Sequence, residues 1–158
     1  MHLFFCSCGE IKTQIASEEI VGKYSGKATF LYKHSIQNIG LDDEKKESSG
    51  TISIFKKETG EVYIISGDGN IQLSGITFAS NGATFSIPHQ FVKQKNGSRK
   101  EIEGYPCATL EGVKYDGIYL SDEKYLLFGY QKLVKYDYWG QKADVLVYCE
   151  YKFNKISD

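Results

Sequence analysis

Apolar and polar residues alternate with a period of two along most of the chain from about residue 20 onward. In the first such segment Tyr24, Ala28, Phe30 and Tyr32 share one parity, and lysine, serine and threonine residues occupy the other. Because successive side chains of a strand point to opposite faces, this pattern predicts a strand with one buried face.

The same alternation predicts further strands. Ile52 and Ile54 mark the buried face of the second strand, and Val62 and Ile64 mark that of the third. Longer strand-like segments follow in the second half of the chain: Ile102–Leu110, Val113–Leu120, Tyr125–Tyr136 and Ala143–Phe153. The spacing of these runs indicates about eight or nine strands.

Turn-forming and charged residues separate the predicted strands. Asp42–Gly50 has six consecutive charges before its small residues, so we predict a solvated loop there. Lys57–Gly60 predicts a tight hairpin connection, and Ser66–Asn70 predicts the next turn. Asn81-Gly82 is a strong hairpin signal because both residues tolerate positive φ. The basic segment Lys93–Lys100 is predicted to be a loop inside the same domain.

No segment carries a convincing helix of three turns, nor the helical crossovers that parallel sheets require. Short strands joined by turns every 8–12 residues or so are typical of sandwiches and closed barrels. We therefore predict an all-β fold, an antiparallel meander of about eight strands that forms a lipocalin-like (calycin-like) β-barrel. Closure removes exposed strand edges, and the long final strand is expected to pair with the first.

The composition limits the function classes. The 158 residues suit one domain, and 19 basic against 20 acidic side chains leave a net charge of −1. Arg99 is the only arginine, which argues against a nucleic-acid partner, because phosphate-binding surfaces need clustered Lys and Arg. No stretch approaches the roughly 18 uninterrupted apolar residues of a membrane-spanning helix.

The N-terminus is similar to the end of a bacterial lipoprotein signal, in which an apolar run and a small residue precede the cysteine that becomes lipidated. Met1–Phe5 is mostly apolar, Ser7 stands at the small position and Cys8 at the modification site. The apolar run is shorter than the roughly 7–15 residues of a secretory signal. The alternative is an apolar first strand whose cysteines are small buried residues.

Lipidation of Cys8 would divide the chain into a residual signal at 1–8, a tether at 9–19 and a barrel domain at 20–154. The protein is then expected in the cell envelope, attached by lipid to the outer membrane or its periplasmic face. Cys107 and Cys149 form the remaining pair in a compartment that permits disulfides, so a bridge between them is a candidate. It requires Cα atoms within about 7 Å, and buried free thiols are the alternative.

Five short segments carry a family resemblance: Gly22–Gly26, Gly50–Ile54, Leu73–Phe78, Phe85–Gln90 and Ile102–Gly104. Together they resemble the calycin-like, lipocalin-like small lipoproteins of Gram-negative gut bacteria, over about residues 20–154. The resemblance implies an eight-stranded meander barrel, tethered through an N-terminal lipidated cysteine at the position of Cys8. It implies no particular activity.

Compared with true lipocalins, the chain departs from three family features. Their Gly-x-Trp on the first strand is here Gly22-Lys23-Tyr24. Tyr136–Tyr138 resembles their Thr-Asp-Tyr motif only weakly. The arginine expected on the last strand is missing, and Lys152 is the nearest cation. These departures argue against a lipocalin-style hydrophobic pocket and leave the expected barrel unchanged.

The sequence offers no recognisable catalytic constellation. It lacks the Gly-x-Ser-x-Gly elbow of hydrolases and the Gly-x-x-x-x-Gly-Lys-Ser/Thr loop that binds phosphate. His34 and His89 are isolated, and the cysteines and histidines lack the short spacings of a four-ligand metal site. We therefore expect no catalytic residue, no metal site and no cofactor.

Aromatic residues are in excess, with 12 Tyr, 9 Phe and 1 Trp. Packing inside a barrel accounts for most of them, since each cross-strand aromatic pair adds about 0.2–1 kcal/mol. Tyr136–Gly140 is predicted to be a turn between long strands, and Tyr136, Tyr138 and Trp139 form the best candidate contact loop.

Two functional hypotheses follow. The first is a non-enzymatic, lipid-anchored barrel that binds a small apolar or amphipathic ligand. The second is a protein-interaction or inhibitor module that uses the loop at Tyr136–Gly140. Enzymatic activity ranks last, because the sequence contains no visible pair of nucleophile and base.

Overall fold

The computed structural model describes residues 19–34, 44–56, 63–67, 72–93, 99–138 and 140–158. Several sequence predictions lie outside these residues: the lipidation site Cys8, the tether before residue 19, the turn Lys57–Gly60, the centre of the turn Ser66–Asn70, and Trp139.

Strands make up nearly all of the described residues. They are β1 (Gly22–His34), β2 (Glu44–Lys56), β3 (Tyr63–Gly67), β4 (Gln72–Phe78), β5 (Thr84–Ser86), β6 (Gln90–Lys93), β7 (Arg99–Gly104), β8 (Ala108–Leu110), β9 (Val113–Tyr115), β10 (Gly117–Leu120), β11 (Tyr125–Tyr138) and β12 (Gln141–Ser157).

Eight strands close into an antiparallel barrel in the order β1, β2, β3, β4, β5, β10, β11 and β12, and β12 pairs back with β1. The first and last strands pair from Lys23 opposite Ser157 to His34 opposite Val145. The predicted all-β antiparallel barrel and the predicted pairing of the first strand with the last are both confirmed. Closure pairs the backbone N–H and C=O groups that the edge strands of an open sheet would leave exposed.

The hairpin formed by β6 and β7 branches from the barrel wall. β10 pairs with Tyr125–Phe128 of β11, and β7 pairs with Tyr130–Leu133 of the same strand. β11 therefore changes its partner at Gly129, whose N–H donates to the Asp116 carbonyl at 2.9 Å. β6 pairs with β7 on the far side, so the hairpin extends the sheet beyond the ring.

The core consists of inward-facing positions that share one parity on each strand. Tyr24 and Ala28 of β1 are buried, and Phe30 and Tyr32 pack against the core while partly exposed. On β12 every odd position within 145–153 is buried. The predicted buried face of the first strand is therefore confirmed. Residues opposite each other in a ladder share a face, so the register carries this parity around the barrel.

The predicted solvated loop at Asp42–Gly50 is wrong for its described part. Glu44–Gly50 belongs to β2 and pairs with Gly26–Tyr32 of β1. Every one of these β2 residues is exposed, so the strand forms without dehydrating its charged side chains. The backbone of β1 supplies hydrogen-bonding groups to this segment, and charge composition carries no information about such a partner.

The predicted buried face of the third strand is also wrong. Tyr63 and Ile65 are buried, and Ile64 is half-buried on the other face. Apolar residues occupy both odd and even positions in this short segment, so the sequence pattern does not show which set is buried. The register decides it, because Ile65 lies opposite the buried Ile54 of β2.

The predicted Asn81-Gly82 hairpin is confirmed between β4 and β5. Gly82 has a φ of +72°, which suits glycine. The Asn81 Oδ1 atom accepts hydrogen bonds from the N–H groups of Ala83 at 2.9 Å and Thr84 at 3.0 Å. The asparagine side chain thereby stabilises the turn that aligns β4 with β5.

Candidate functional site

One end of the barrel is closed by the turn that precedes β1. Ile20 is fully buried, and its carbonyl accepts a hydrogen bond from the Tyr24 hydroxyl at 2.6 Å. The Tyr24 ring meets the Tyr119 ring edge-on, with centroids 6.1 Å apart. Burial raises the pKa of both phenols, so they stay neutral and close this end by packing and hydrogen bonding.

A largely buried lysine, Lys155, lies at the closed end. Its side chain is 8% exposed, and its Nζ donates to the Glu19 carbonyl and lies 2.8 Å from an Asp158 carboxylate oxygen. It faces inward because it lies opposite Tyr24. Lys152, the nearest cation by sequence comparison, has the other parity and is 61% exposed. Lys155, and not Lys152, is therefore the buried lysine of the last strand.

Aromatic rings pack through the middle of the barrel. Phe128 and Tyr151 stack with centroids 4.6 Å apart, and Phe30 meets Tyr151 edge-on at 6.1 Å. Phe85 lies 6.5 Å from Phe128 on the other side. Tyr119, Tyr130 and Tyr151 are all buried, so packing accounts for these members of the tyrosine-rich last third.

A small polar cluster lies among these rings. The hydroxyls of Tyr130 and Tyr151 are 3.1 Å apart, and Cys149 lies opposite Tyr130 in the ladder. Burial raises the pKa of Tyr151 to about 12 and that of Cys149 to about 11, and it raises the pKa of Tyr130 strongly. All three groups are neutral at physiological pH, so Cys149 is a weak nucleophile and the cluster offers hydrogen bonds.

Toward the other end, the inward face of the long strands opens to solvent. The register aligns Tyr32, Val147 and Lys132 across β1, β12 and β11, and it places Val134 opposite Val145 in the next row. Val145 and Val147 are fully buried, whereas Tyr32 and Val134 are only half-buried. Apolar side chains therefore continue the core to a region where part of their surface reaches water.

We define the open-end surface as Phe30, Tyr32, Lys132 and Val134. All four face inward by the register and all four are half-buried. Its composition combines two aromatic rings, one aliphatic side chain and one ammonium group. Such a mixture is typical of ligand sites, which are mostly apolar with a few polar groups that orient the ligand.

Lys46 of β2 borders the open-end surface. It lies opposite Phe30 in the ladder, and its Nζ is 5.2 Å from the centroid of the Tyr32 ring. The same Nζ lies 3.7 Å from a carboxylate oxygen of Glu44. This lysine is therefore engaged by both a ring face and a carboxylate.

A side chain completes the barrel wall beside the branching hairpin. Within β4, Thr77 and Phe78 are the residues that pair with β5. Farther along β4, the side-chain amide of Gln90 makes the backbone hydrogen bonds that a neighbouring strand would make. Its Oε1 accepts from the Ser74 N–H at 2.9 Å, and its Nε2 donates to the Ser74 carbonyl at 3.0 Å. Gln90 lies opposite Ile102, so this seam joins β6 and β7 to β4.

The candidate disulfide is not formed in the structure. Cys107 and Cys149 are free thiols, and the sheet separates them. Cys149 faces the interior, whereas Cys107 packs from outside over Gly129, where an added Cβ would lie 2.8 Å from its sulfur. Burial raises the pKa of Cys107 to about 12, so this thiol is also protonated at neutral pH.

The predicted contact turn is shorter than Tyr136–Gly140. Tyr136 and Tyr138 belong to β11, where they lie opposite Ala143 and Gln141 of β12. The prediction of a turn is therefore wrong for these two residues. Gly140, with a φ of +83°, belongs to the connection itself.

Of the two isolated histidines, His89 has no contact with the polar cluster among those described for it. His34 ends β1, and His89 is an exposed residue whose Nε2 lies 3.0 Å from a Glu101 oxygen. The His89 ring also meets Phe91 edge-on at 5.4 Å. Among the residues that the structure describes, no group of three or more His, Cys, Asp or Glu side chains is arranged to hold a metal.

Comparison with known proteins gave no match to a family model and no matching curated protein. Within the described ranges, no helix has the length and apolar character needed to cross a membrane. Function is therefore inferred from the barrel and its open-end surface.

The sequence patterns missed Lys132 and Gln90. Lys132 interrupts an otherwise apolar inward series on β11, formed by Leu126, Phe128, Tyr130 and Val134. The sequence could have pointed to Lys132, because a charged residue there stands among positions that otherwise face the core. Gln90 had no such signal, because its partner Ser74 is set by tertiary structure.

Proposed function

We propose that the protein is a non-enzymatic, lipid-anchored barrel of the cell envelope that binds a small apolar or amphipathic ligand. The observation that carries this proposal is the open-end surface. There, half-buried aromatic and aliphatic side chains continue directly from the barrel core. Covering them with a ligand removes apolar surface from water, worth about 25 cal/mol per Å².

The chemistry of the interior supports binding rather than catalysis. The buried polar groups of the interior include the hydroxyls of Tyr130 and Tyr151 and the thiol of Cys149. Cys149 lies opposite Phe30 of the open-end surface in the β1–β12 ladder. The raised pKa values of the two hydroxyls and the thiol keep them protonated, so they can donate hydrogen bonds to a ligand and are poor nucleophiles. No cofactor is required for this role.

The anchoring part of the proposal rests on Cys8 and on where the chain enters the barrel. β1 begins at Gly22, next to Ile20 at the closed end. A lipid on Cys8 would therefore tether the closed end and leave the open-end surface directed away from the membrane. Mass spectrometry of the protein purified from its native host tests this: we expect a diacylglyceryl adduct on Cys8, and an unmodified Met1 would overturn the anchor.

Ligand binding is tested with the neutral apolar probe N-phenyl-1-naphthylamine, whose fluorescence rises in an apolar site. We expect saturable binding to the purified protein and about tenfold weaker binding to Tyr32→Ser, which removes a ring from the open-end surface. Phe55→Ser is the matched control, because Phe55 is an aromatic of β2 that is 43% exposed on the outward face. Equal binding by both variants would contradict the proposed site.

A second function is favoured by the shape of the β11–β12 hairpin. Beyond Val134, the residues of β11 pair only with β12 in the described part of the chain. Tyr136 and Tyr138 thus lie on a two-stranded extension, suited to contact with a partner protein. Trp139→Ala should then abolish recovery of a partner in a pull-down from the native host, and unchanged recovery would count against this role.

A further inference from the structure

Two lysines are diagonal neighbours on one face of the sheet that β11 forms with the branching hairpin, the face that carries the buried Ile102. Lys132 of β11 lies opposite Ile102 of β7, and Lys100 precedes Ile102 by two residues on the same face. Such diagonal positions are about 7–8 Å apart between Cα atoms, and the side chains come closer. Both lysines are half-buried beside apolar residues. Like charges on neighbouring side chains repel each other, and an anion bound between the two ammonium groups would relieve that repulsion.

The carboxylates of the described residues do not supply that anion. In the described ranges, no carboxylate lies within 4.0 Å of the ammonium group of Lys100 or Lys132. Glu44, which shares the inward face, is already engaged by Lys46 at 3.7 Å. Glu101 has the opposite parity on β7 and pairs with a histidine. Within the part of the chain that the structure describes, the two lysines therefore have no carboxylate partner at the edge of this apolar surface.

The ammonium group of Lys132 also acts on the interior. Burial raises the pKa of the Cys149 thiol to about 11, and the charge of Lys132 opposes part of that effect. This electrostatic coupling agrees with the register, which directs Lys132 toward the core side of β11. A ligand that reaches the open-end surface therefore meets this charge.

Resting on the proposed ligand-binding function, we propose that the ligand is an amphipathic anion. Its negatively charged head lies between Lys100 and Lys132, and its apolar body covers Phe30, Tyr32 and Val134. A neutral ligand of the same length leaves the two ammonium groups without a counter-charge, and a cationic ligand adds a third like charge. Only the anion gains both apolar burial and charge-assisted hydrogen bonds.

Three ligands with the same ten-carbon chain test the proposal: decanoate, decan-1-ol and decyltrimethylammonium. Each is titrated into the purified full-length protein below its micellar concentration, with displacement of N-phenyl-1-naphthylamine as the readout. We expect decanoate to bind about tenfold more tightly than decan-1-ol, and decyltrimethylammonium to bind least. Added salt should weaken decanoate binding and leave decan-1-ol binding unchanged.

Lys132→Met keeps the length and apolar stem of the side chain and removes the charge. It should lower decanoate affinity about tenfold and leave decan-1-ol affinity unchanged. Lys152→Met is the matched control, since Lys152 is 61% exposed on the outward face of the neighbouring strand. Lys100→Met provides an independent second variant on β7 with the same expected loss for decanoate.

The outcomes separate the two proposals. Equal binding of decanoate and decan-1-ol, or an equal effect of Lys132→Met and Lys152→Met, would overturn the anion and leave the proposed ligand-binding function standing. Tighter binding of decyltrimethylammonium would do the same. Failure of all three ligands and of the neutral probe would overturn both the anion and the ligand-binding function.

Discussion

Individual glycines make room for the rings of the barrel interior. A Cβ added to Gly117 would lie 2.1 Å from the Phe85 ring, whereas a Cβ added to Gly50 would meet nothing within 4 Å. Both are strand glycines, so the sequence does not distinguish them. Their difference arises from what the closed barrel brings to each position, and it makes them a matched pair for mutation.

Gly117→Ala should lower the free energy of unfolding by about 1–3 kcal/mol, because the added methyl forces Phe85 out of its packing. Gly50→Ala should be neutral or stabilise by a few tenths to about 1 kcal/mol, since it reduces the entropy of the unfolded chain. Chemical denaturation of the two variants measures the contrast. Equal stabilities would mean that the Phe85 ring has room to move.

At the scale of strands, the pairing of each strand with its neighbours determines features that the local sequence pattern does not. Glu44–Gly50 has a loop-like composition but extends β2 because β1 offers it a partner. Which residues of β3 face the core follows from its pairing with β2. The branching hairpin of β6 and β7 is hydrogen-bonded to β4 through the side chain of Gln90, which bonds both backbone groups of Ser74.

Gln90→Ala should loosen this seam without unfolding the barrel, because the ring through β5 and β10 remains paired. Hydrogen exchange at the Ser74 amide should accelerate by about tenfold or more, since that N–H loses its acceptor. Gln131→Ala is the control, because Gln131 bonds only an exposed Glu103 side chain at 3.3 Å among the contacts described. Unchanged exchange at Ser74 would show that β6 is held by other contacts.

At the scale of the whole molecule, closure of the barrel buries ionisable groups in their neutral forms. Cys149 is fully buried, and its pKa rises from an ordinary value of 9.0 to about 11. Well below pH 9 the thiol is protonated in both the folded and the unfolded state. As the pH rises from about 9 to 11, the unfolded state releases the proton before the folded state does, so global stability falls.

The free energy of unfolding should therefore decrease above pH 9, with Cys149 contributing a slope of about 1.4 kcal/mol per pH unit. Cys149→Ala lowers stability at every pH because it leaves a cavity, but its decline between pH 9 and 11 should be shallower by that amount. Denaturation curves at a series of pH values compare the two slopes. Parallel declines would show that the thiol does not couple folding to pH.

Sequence alone determined the architecture of this protein. Alternation around Tyr24 and along Ala143–Phe153, with turn signals such as Asn81-Gly82, predicted an antiparallel barrel and the inward face of its first strand. These features are local, because side-chain parity and positive φ depend on neighbouring residues.

Only the tertiary structure decided the candidate site. It brought Lys100 and Lys132 together on adjacent strands, set Lys155 rather than Lys152 at the closed end, and put Cys107 and Cys149 on opposite faces. Each outcome depends on which residues of distant segments lie opposite one another. A shift of one residue in register reverses the face of every side chain, and that register is set by packing of the whole barrel.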